Sequence, residues 1–173
     1  MNQFGSKMND STITSDQFRR ACGLWATGVS IVTTVDAAGK CYGLTMNAVT
    51  SLSLNPPMFI VCVDNNSDTL APMRESKVFC INVLANDQQD LSNRFAKKGE
   101  EKFTGIAHSR GGTGAPVLAG ALLAIECAVS SIVPGGDHQI MLGEVRHIVT
   151  NDAEGVEPLL YFSGRYTAVT KAG

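Results

Sequence analysis

The chain is poor in charge and in aromatic rings: of its 173 residues, 17% are charged and 6% aromatic, with one Trp. Lys and Arg number 14 against 16 Asp and Glu, a net charge of −2, and no basic stripe stands out. Neither nucleic acid nor an anionic membrane surface is an expected partner. The five cysteines, Cys22, Cys41, Cys62, Cys80 and Cys127, lie far apart with no C-x-x-C pair. An odd count without zinc-like spacing speaks against a disulfide framework and against a structural metal, so no metal ligand is nominated. Reduced thiols in a cytosolic protein are expected.

Other signatures are missing too. No G-x-G-x-x-G follows a strand, and neither a G-x-x-x-x-G-K-S/T loop nor an H-E-x-x-H helix occurs. Rossmann, Walker and zincin sites are therefore unsupported. The opening MNQFGSKMNDSTITSDQF holds no apolar h-region, so no secretion signal is expected. The long uncharged window 41–63 is broken by hydroxyls, an amide and Pro56-Pro57, which a membrane helix would not carry. The expected location is the cytoplasm.

What is present reads as one domain, residues 15–173, behind a flexible tail, residues 1–14. Ser15 or Asp16 can cap a first helix whose Phe18, Ala21, Cys22 and Trp25 share a face and which Gly28 would end. VSIVTTV (29–35) and the stretch GLTMNAVTSLSLN (43–55) read as a hairpin about the 36–40 turn. MFIVCV (58–63), KVFCINVL (77–84), LLAIECAVSSIV (122–133), QIMLGEVRHIV (139–149) and PLLYF (158–162) read as further strands. Short helices are expected over 65–76 and 86–99, and the Gly-rich 100–116 reads as a functional or mobile loop. Helices do not alternate with strands, which favours a mainly β antiparallel barrel or sandwich.

Two stretches carry chemistry. In 43–55, Leu44, Met46, Ala48, Leu52 and Leu54 share one phase, expected to face a core; Thr45, Asn47, Ser51, Ser53 and Asn55 share the other. That polar, uncharged face is either solvated or covered by a ligand rich in donors and acceptors, because a buried unpaired hydroxyl or amide costs about 1–3 kcal/mol. Beyond the next strand, Asn65-Asn66-Ser67-Asp68-Thr69 opens a helix, which suits ordinary capping or a phosphate. In PGGDHQIMLGEV (134–145), Asp137-His138 follows a glycine turn; it reads as a stabilised turn or as an imidazole placed to orient a planar ligand. His108 and His147 read as structural.

Taken in order, ATGVSIVTT, GLTMNAVTSLSLNPP, VCVDNNSDT, INVL, LSNRFA, APVLAGALLAIEC, GGDHQIMLGEV and PLLYFSGRY resemble the flavin reductase family. The likeness spans about residues 16–168. It implies a six-stranded antiparallel Greek-key split barrel with a few flanking helices, dimeric, with flavin near the subunit interface. It further implies an NAD(P)H:flavin oxidoreductase that passes hydride from NADH or NADPH to FMN or FAD for a partner monooxygenase. An alternative within the resemblance keeps FMN bound and reduces a corrinoid cobalt, as in cobalamin biosynthesis. Flavin would lie along Thr45, Met46, Asn47, Ala48, Ser51, Leu52 and Ser53; Asn66, Ser67, Thr69 and Lys102 would meet its phosphate, and Phe95 would flank it. Gly136 and Asp137 would border the nicotinamide and His138 would position it. Family members commonly carry a Trp after the NRFA helix, where this chain has Lys102-Phe103-Thr104-Gly105 instead. A flavin carrier without NAD(P)H activity and a pyridoxine-phosphate-type oxidase are rivals; the GGDH turn speaks against the first and the scarcity of well-placed basic residues against the second.

Overall fold

The computed structural model describes residues 12–99 and 101–169. Residues 1–11 of the expected tail and 170–173 at the end of the expected domain lie outside the described residues. The elements run α1 (Ser15–Gly23), β1 (Thr27–Gly28), β2 (Ser30–Val35), β3 (Cys41–Met46), β4 (Val49–Leu54), β5 (Pro57–Asp64), α2 (Leu70–Ser76), β6 (Val78–Val83), α3 (Gln89–Ala96), β7 (His108–Arg110), β8 (Pro116–Leu118), β9 (Leu123–Gly135), β10 (His138–Thr150), β11 (Leu160–Phe162) and β12 (Arg165–Thr167).

Thr14, not Ser15 or Asp16, caps α1. Its hydroxyl accepts from Gln17 N–H at 3.2 Å while Gln17 Oε1 accepts from Thr14 N–H at 2.9 Å, a reciprocal capping box. The helix ends at Gly23 and not at Gly28, because Thr27 and Gly28 pair with Tyr161 and Leu160 as a strand. The face that sequence periodicity assigned to packing is bare: α1 buries none of its residues, and Phe18 and Trp25 are 64% and 76% exposed.

One antiparallel sheet dominates, in the order β3-β2-β6-β9-β10-β5-β4. Its two edges are consecutive in sequence, separated by Asn47 and Ala48 alone. Three residue steps span about 10 Å at most, so the sheet must curl until its edges meet. Counted as one bent strand, β3 and β4 complete a six-stranded barrel. The chain crosses from β5 to β6 through α2, and β6 pairs with β2 and β9 instead of β5.

The bend overturns the single-strand reading of 43–55. Val49 N–H donates to the Asn47 carbonyl at 2.9 Å, a three-residue turn, and Cys62 N–H donates to Ala48 at 3.1 Å. The alternation shifts phase there: Leu44 and Met46 pack on the core before the turn, Val49 after it. A bulge between Ser51 and Ser53 then leaves Leu52 unpaired. Leu52 and Leu54 are thus 45% and 94% exposed, against the expectation that they face a core.

The barrel interior is filled by Val32, Val61, Val63, Phe79, Ile81, Ile125 and Met141, closed by Leu70 and Met73 of α2. A second cluster, Val29, Ile31, Leu84, Phe95, Leu118 and Leu159, lies outside the barrel under α3. Every residue of β2 is buried, since both its faces are covered.

Over its described residues, 101–116, the Gly-rich stretch is no open loop. It holds the hairpin β7–β8, whose tip closes over the Glu126 carboxylate. Glu126, 3% exposed, accepts from Gly112 N–H at 3.1 Å, Thr113 N–H at 2.7 Å and the Thr113 hydroxyl at 2.6 Å. A Cβ on Gly111 would overlap that carboxylate and one on Gly112 the His147 ring, so these glycines serve close approach. On the outer face of β6, Asn82 donates to the Ile31 carbonyl and to the Thr33 hydroxyl, each at 3.1 Å, and accepts from Leu118 N–H at 2.8 Å, fastening β8 to the barrel.

Burial alone would raise the Glu126 pKa, but the Thr113 and Gly112 donors and the nearby His147 outweigh it and hold it below its ordinary value. A depressed folded pKa stabilises the fold above the unfolded value and loses that contribution as pH falls through the folded one. Urea denaturation should show Glu126→Gln less stable at pH 7 by about 1–3 kcal/mol, since an amide leaves one buried donor without an acceptor. The variant should also lose less stability than the parent as pH drops below about 4.3.

Candidate functional site

The bend at Asn47–Ala48 opens a groove at the barrel's edge, built from cavities that share residues. A cavity of about 260 Å³ takes Thr45 from β3, Asn66 and Ser67 from the β5–α2 turn, Phe95 and Ala96 from α3, and Lys97, Lys98 and Lys102 beyond it. Thr45 and Ala96 also line a second cavity of about 230 Å³ with Met46, Asn47, Ser92, Tyr161 and Tyr166. Asn47 passes into a third, of about 590 Å³, where Ala48, Thr27, Trp25 and Cys62 are neighbours. The groove therefore runs over Thr45–Ala48 from a lysine-rich end to an open, apolar one.

The two ends differ in polarity for local reasons. Lys102 is held inward: its Nζ donates to the Gly43 carbonyl at 3.1 Å and lies 3.6 Å from Asp68 Oδ1, leaving its side chain 10% exposed. Three lysines against Asp64 and Asp68 make this the cationic end. Gly43 permits the close packing beneath, because a Cβ there would stand 2.9 Å from the Phe95 ring. Phe95 is 1% exposed and meets Phe103 edge-on at 5.0 Å, so its first role is in the core under the cavity. In the middle of the groove Thr45 donates to the Ser92 carbonyl at 2.6 Å, and the Ser92 and Tyr166 hydroxyls lie 2.9 Å apart. Thr27 Oγ1 is buried with no hydrogen-bond partner among the described residues.

The GGDH turn sits at the same barrel end. His138 pairs with Asp64 across β10–β5, Asn65 N–H donates to the Asp137 carbonyl at 3.0 Å, and Gln139 Nε2 donates to Asn65 Oδ1 at 2.8 Å. The turn that bears Asn66 and Ser67 is thereby stapled to the one that bears His138. Asp137 Oδ1 lies 2.7 Å from His138 Nδ1, and that hydrogen bond, then the imidazole's charge, lowers the Asp137 pKa.

Of the nominated residues, Thr45, Met46, Asn47, Ala48, Asn66, Ser67, Phe95 and Lys102 come together in the groove. Gly136, Asp137 and His138 stand beside it at the hairpin tip, outside the linings of these cavities. Ser51, Leu52 and Ser53 lie on β4 beyond the bend and are not among the linings of these cavities. Thr69 is fully buried, its hydroxyl turned to Asp68 at 3.3 Å and its N–H to Ser67 Oγ. Sequence reasoning did not nominate Lys97, Lys98, Tyr161, Tyr166 or Thr27. The lysines read as the end of the 86–99 helix and Tyr161 as a strand residue, while Tyr166 stood only in a motif of the resemblance, and only packing brings them to the groove.

A neutral, hydrogen-bonding trough with a cationic end suits a planar heteroaromatic ring that carries a phosphate, and a split barrel with that groove defines a flavin-dependent oxidoreductase. The chain belongs to the flavin reductase-like domain family, whose model matches residues 22–170. A flavin reductase of Pseudomonas putida is 33% identical over 166 residues, 96% of each chain. The reductase subunit HsaB of a flavin-dependent monooxygenase from Rhodococcus jostii is 36% identical over 153 residues, 88% of this chain and 77% of that one. Among solved structures, the NADH:FAD oxidoreductase SgcE6 of Streptomyces globisporus, in complex with NAD and FAD fragments, superposes with a TM-score of 0.83 at 32% identity, covering 90% of this chain and 92% of that one.

The cationic end makes a direct expectation. Lys102→Met keeps the buried stem and removes the ammonium, and should weaken FMN binding by about tenfold or more while leaving riboflavin, which has no phosphate, unchanged. Flavin fluorescence titration with both ligands reads the difference.

Proposed function

We propose that the groove holds a flavin with its 5′-phosphate among Asn66, Ser67, Lys97, Lys98 and Lys102 and its ring over Thr45–Ala48, while the Gly136-Asp137-His138 turn receives a reduced nicotinamide dinucleotide. The stapling of the Asn66–Ser67 turn to the His138 turn carries this reading, since it holds the two candidate ligand-bearing turns together at one end of the barrel. Thr45, Met46, Asn47 and Ala48 are the flavin residues of this proposal; Ser51, Leu52, Ser53 and Thr69, outside these cavity linings, are not carried into it.

When bound, flavin supplies a ring that accepts hydride; the chain's own contribution is orientation and charge. Near-attack alignment demands two rings about 3–3.5 Å apart, which a neutral trough and a fixed turn can impose. Neutral donors over Thr45–Ala48 favour electron density on the ring without a fixed charge. His138, held by Asp137, orients the nicotinamide, and no acid–base triad is required of the protein. Reduced flavin then passes to a separate monooxygenase, as expected of a chain related to a monooxygenase reductase subunit.

The bare α1 face, with Phe18, Leu24 and Trp25 each at least 64% exposed, supports a homodimer closing the apolar end of the groove. Five free cysteines accord with a cytosolic setting, and no helix among the described residues is long and apolar enough to cross a membrane. The hairpin over 108–118 is pinned to the barrel, and nothing in it singles out a corrinoid acceptor.

NADH oxidation should rise with added FMN or FAD, and NADH added without oxygen should bleach the visible band of bound flavin. No stimulation by either flavin would sink the proposal. His138→Ala should raise the KM for NADH about tenfold while changing the flavin Kd by less than about twofold, as expected of a group that positions one of the two ligands.

A further inference from the structure

Arg94 stands in the last turn of α3, and its guanidinium bonds backbone carbonyls of the segment beyond the helix. Nη2 donates to the Glu101 carbonyl at 3.0 Å and to the Thr104 carbonyl at 2.5 Å. One nitrogen thus commits both its protons, to the residue before Lys102 and to the residue after Phe103. The turn so bracketed also closes on itself. Thr104 N–H donates to the Glu101 carbonyl at 3.3 Å, the Thr104 hydroxyl to Glu101 Oε2 at 2.6 Å, and Ile106 N–H to the Phe103 carbonyl at 3.0 Å.

Those local bonds shape the turn but do not place it. Gly99 and Gly105, at φ +136° and +72°, flank it, and 101–105 belongs to neither helix nor strand. Backbone that runs between glycines in that region has weak preferences of its own, so ties to other elements set its position. Arg94 ties the turn's backbone to α3, the Phe103 ring meets Phe95 of α3 edge-on at 5.0 Å, and Lys102 Nζ reaches the Gly43 carbonyl of β3 and Asp68. The lysine tie is the one an anion would meet, because Lys102 lines the lysine-rich cavity. It is also the softest, since an ammonium rides on a flexible four-carbon stem. The Lys102 side chain, 10% exposed, keeps its place while the backbone beneath it is fixed.

We propose that Arg94 is a positioning residue for phosphate recognition: it acts through the 101–104 turn, holding the Lys102 ammonium in place before a phosphate enters. Its own donors are turned to the Glu101 and Thr104 carbonyls, so it reaches the ligand only through Lys102. A ligand's apparent Kd is its intrinsic value divided by the fraction of chains in the competent arrangement. A turn that is displaced nine-tenths of the time therefore weakens a phosphate-bearing ligand about tenfold and leaves a ligand without phosphate unchanged. That consequence rests on the flavin reading, in which Lys102 meets the 5′-phosphate; the hold of Arg94 on the turn does not.

Arg94→Met tests the role, with FMN and riboflavin as probes in fluorescence titrations of the full chain. FMN should bind about tenfold more weakly and riboflavin within about twofold of the parent. In the Lys102→Met background the same substitution should add less than about twofold to the FMN Kd, because the group it positions is gone. Equal weakening of FMN and riboflavin would make Arg94 a general support of the groove, and a full tenfold effect without Lys102 would show it acting by its own charge; either overturns the proposal. Arg94→Lys, which keeps the charge, is read in the same way if the methionine variant does not fold. Hydrogen exchange of the flavin-free chain supplies a second readout: the Thr104 and Ile106 amides should exchange about tenfold faster in Arg94→Met. Unchanged exchange overturns the proposal whatever the flavin titrations give. Lys102→Met binding FMN and riboflavin as the parent does would sink the phosphate reading instead, and exchange would still decide whether Arg94 holds the turn.

Discussion

The two-residue link between the first and last strands of the sheet is the constraint on which the molecule depends. Asn47 and Ala48 hold β3 and β4 within a few ångströms of each other in the chain, although five strands lie between them in the sheet. Backbone length admits no flat solution, so the sheet closes. Closure buries both faces of β2, encloses the Phe79–Met141 core and leaves a seam where the bent strand parts from itself. The groove lies along that seam, which is why a structural necessity and the proposed ligand trough share Thr45, Asn47 and Ala48.

Outside the barrel, buried polar groups carry much of the organisation. Glu126 and Asn82 are both nearly inaccessible; Glu126 gathers the Gly112 and Thr113 N–H groups of the Gly-rich segment, and Asn82 the Leu118 N–H of β8. A buried carboxylate or amide is tolerated only when its lone pairs and protons are matched, so these two residues dictate where the β7–β8 hairpin must lie. The hairpin in turn presents Phe103 to Phe95 beneath the lysine-rich cavity, through a chain of ring contacts that also includes His108. Its glycines secure close approach to Glu126 and His147.

The site divides its work in space. Charge is confined to one end, where Lys102 is tethered between Gly43 and Asp68. The middle is neutral and hydrogen-bonded to α3, and the far end is apolar and open beside Trp25. Hydride transfer asks little of a protein in acid–base terms and much in alignment, and in the proposed reading the cross-ties between the β5–α2 turn and the β9–β10 tip supply it.

The sequence by itself determined the mainly β class, most strand positions, the helix at 15–23 in outline and the ordered motifs of the flavin reductase family. Each of these is written in local periodicity, capping chemistry or motif order. It also brought eight of the nominated ligand residues to the groove. Only the tertiary structure decided where 43–55 bends, because a three-residue turn and a bulge break a period that looks continuous in one dimension. It likewise left Ser51, Leu52 and Ser53 outside the cavity linings, sealed Thr69 in the interior and set Lys97, Lys98, Tyr161 and Tyr166 along the groove. A glycine run reads the same whether it is mobile or pressed against a buried carboxylate, and a lysine pair the same whether it stops a helix or faces an anion. What separates those outcomes is the neighbour across space, and for this chain the neighbours were chosen by the closing of the barrel.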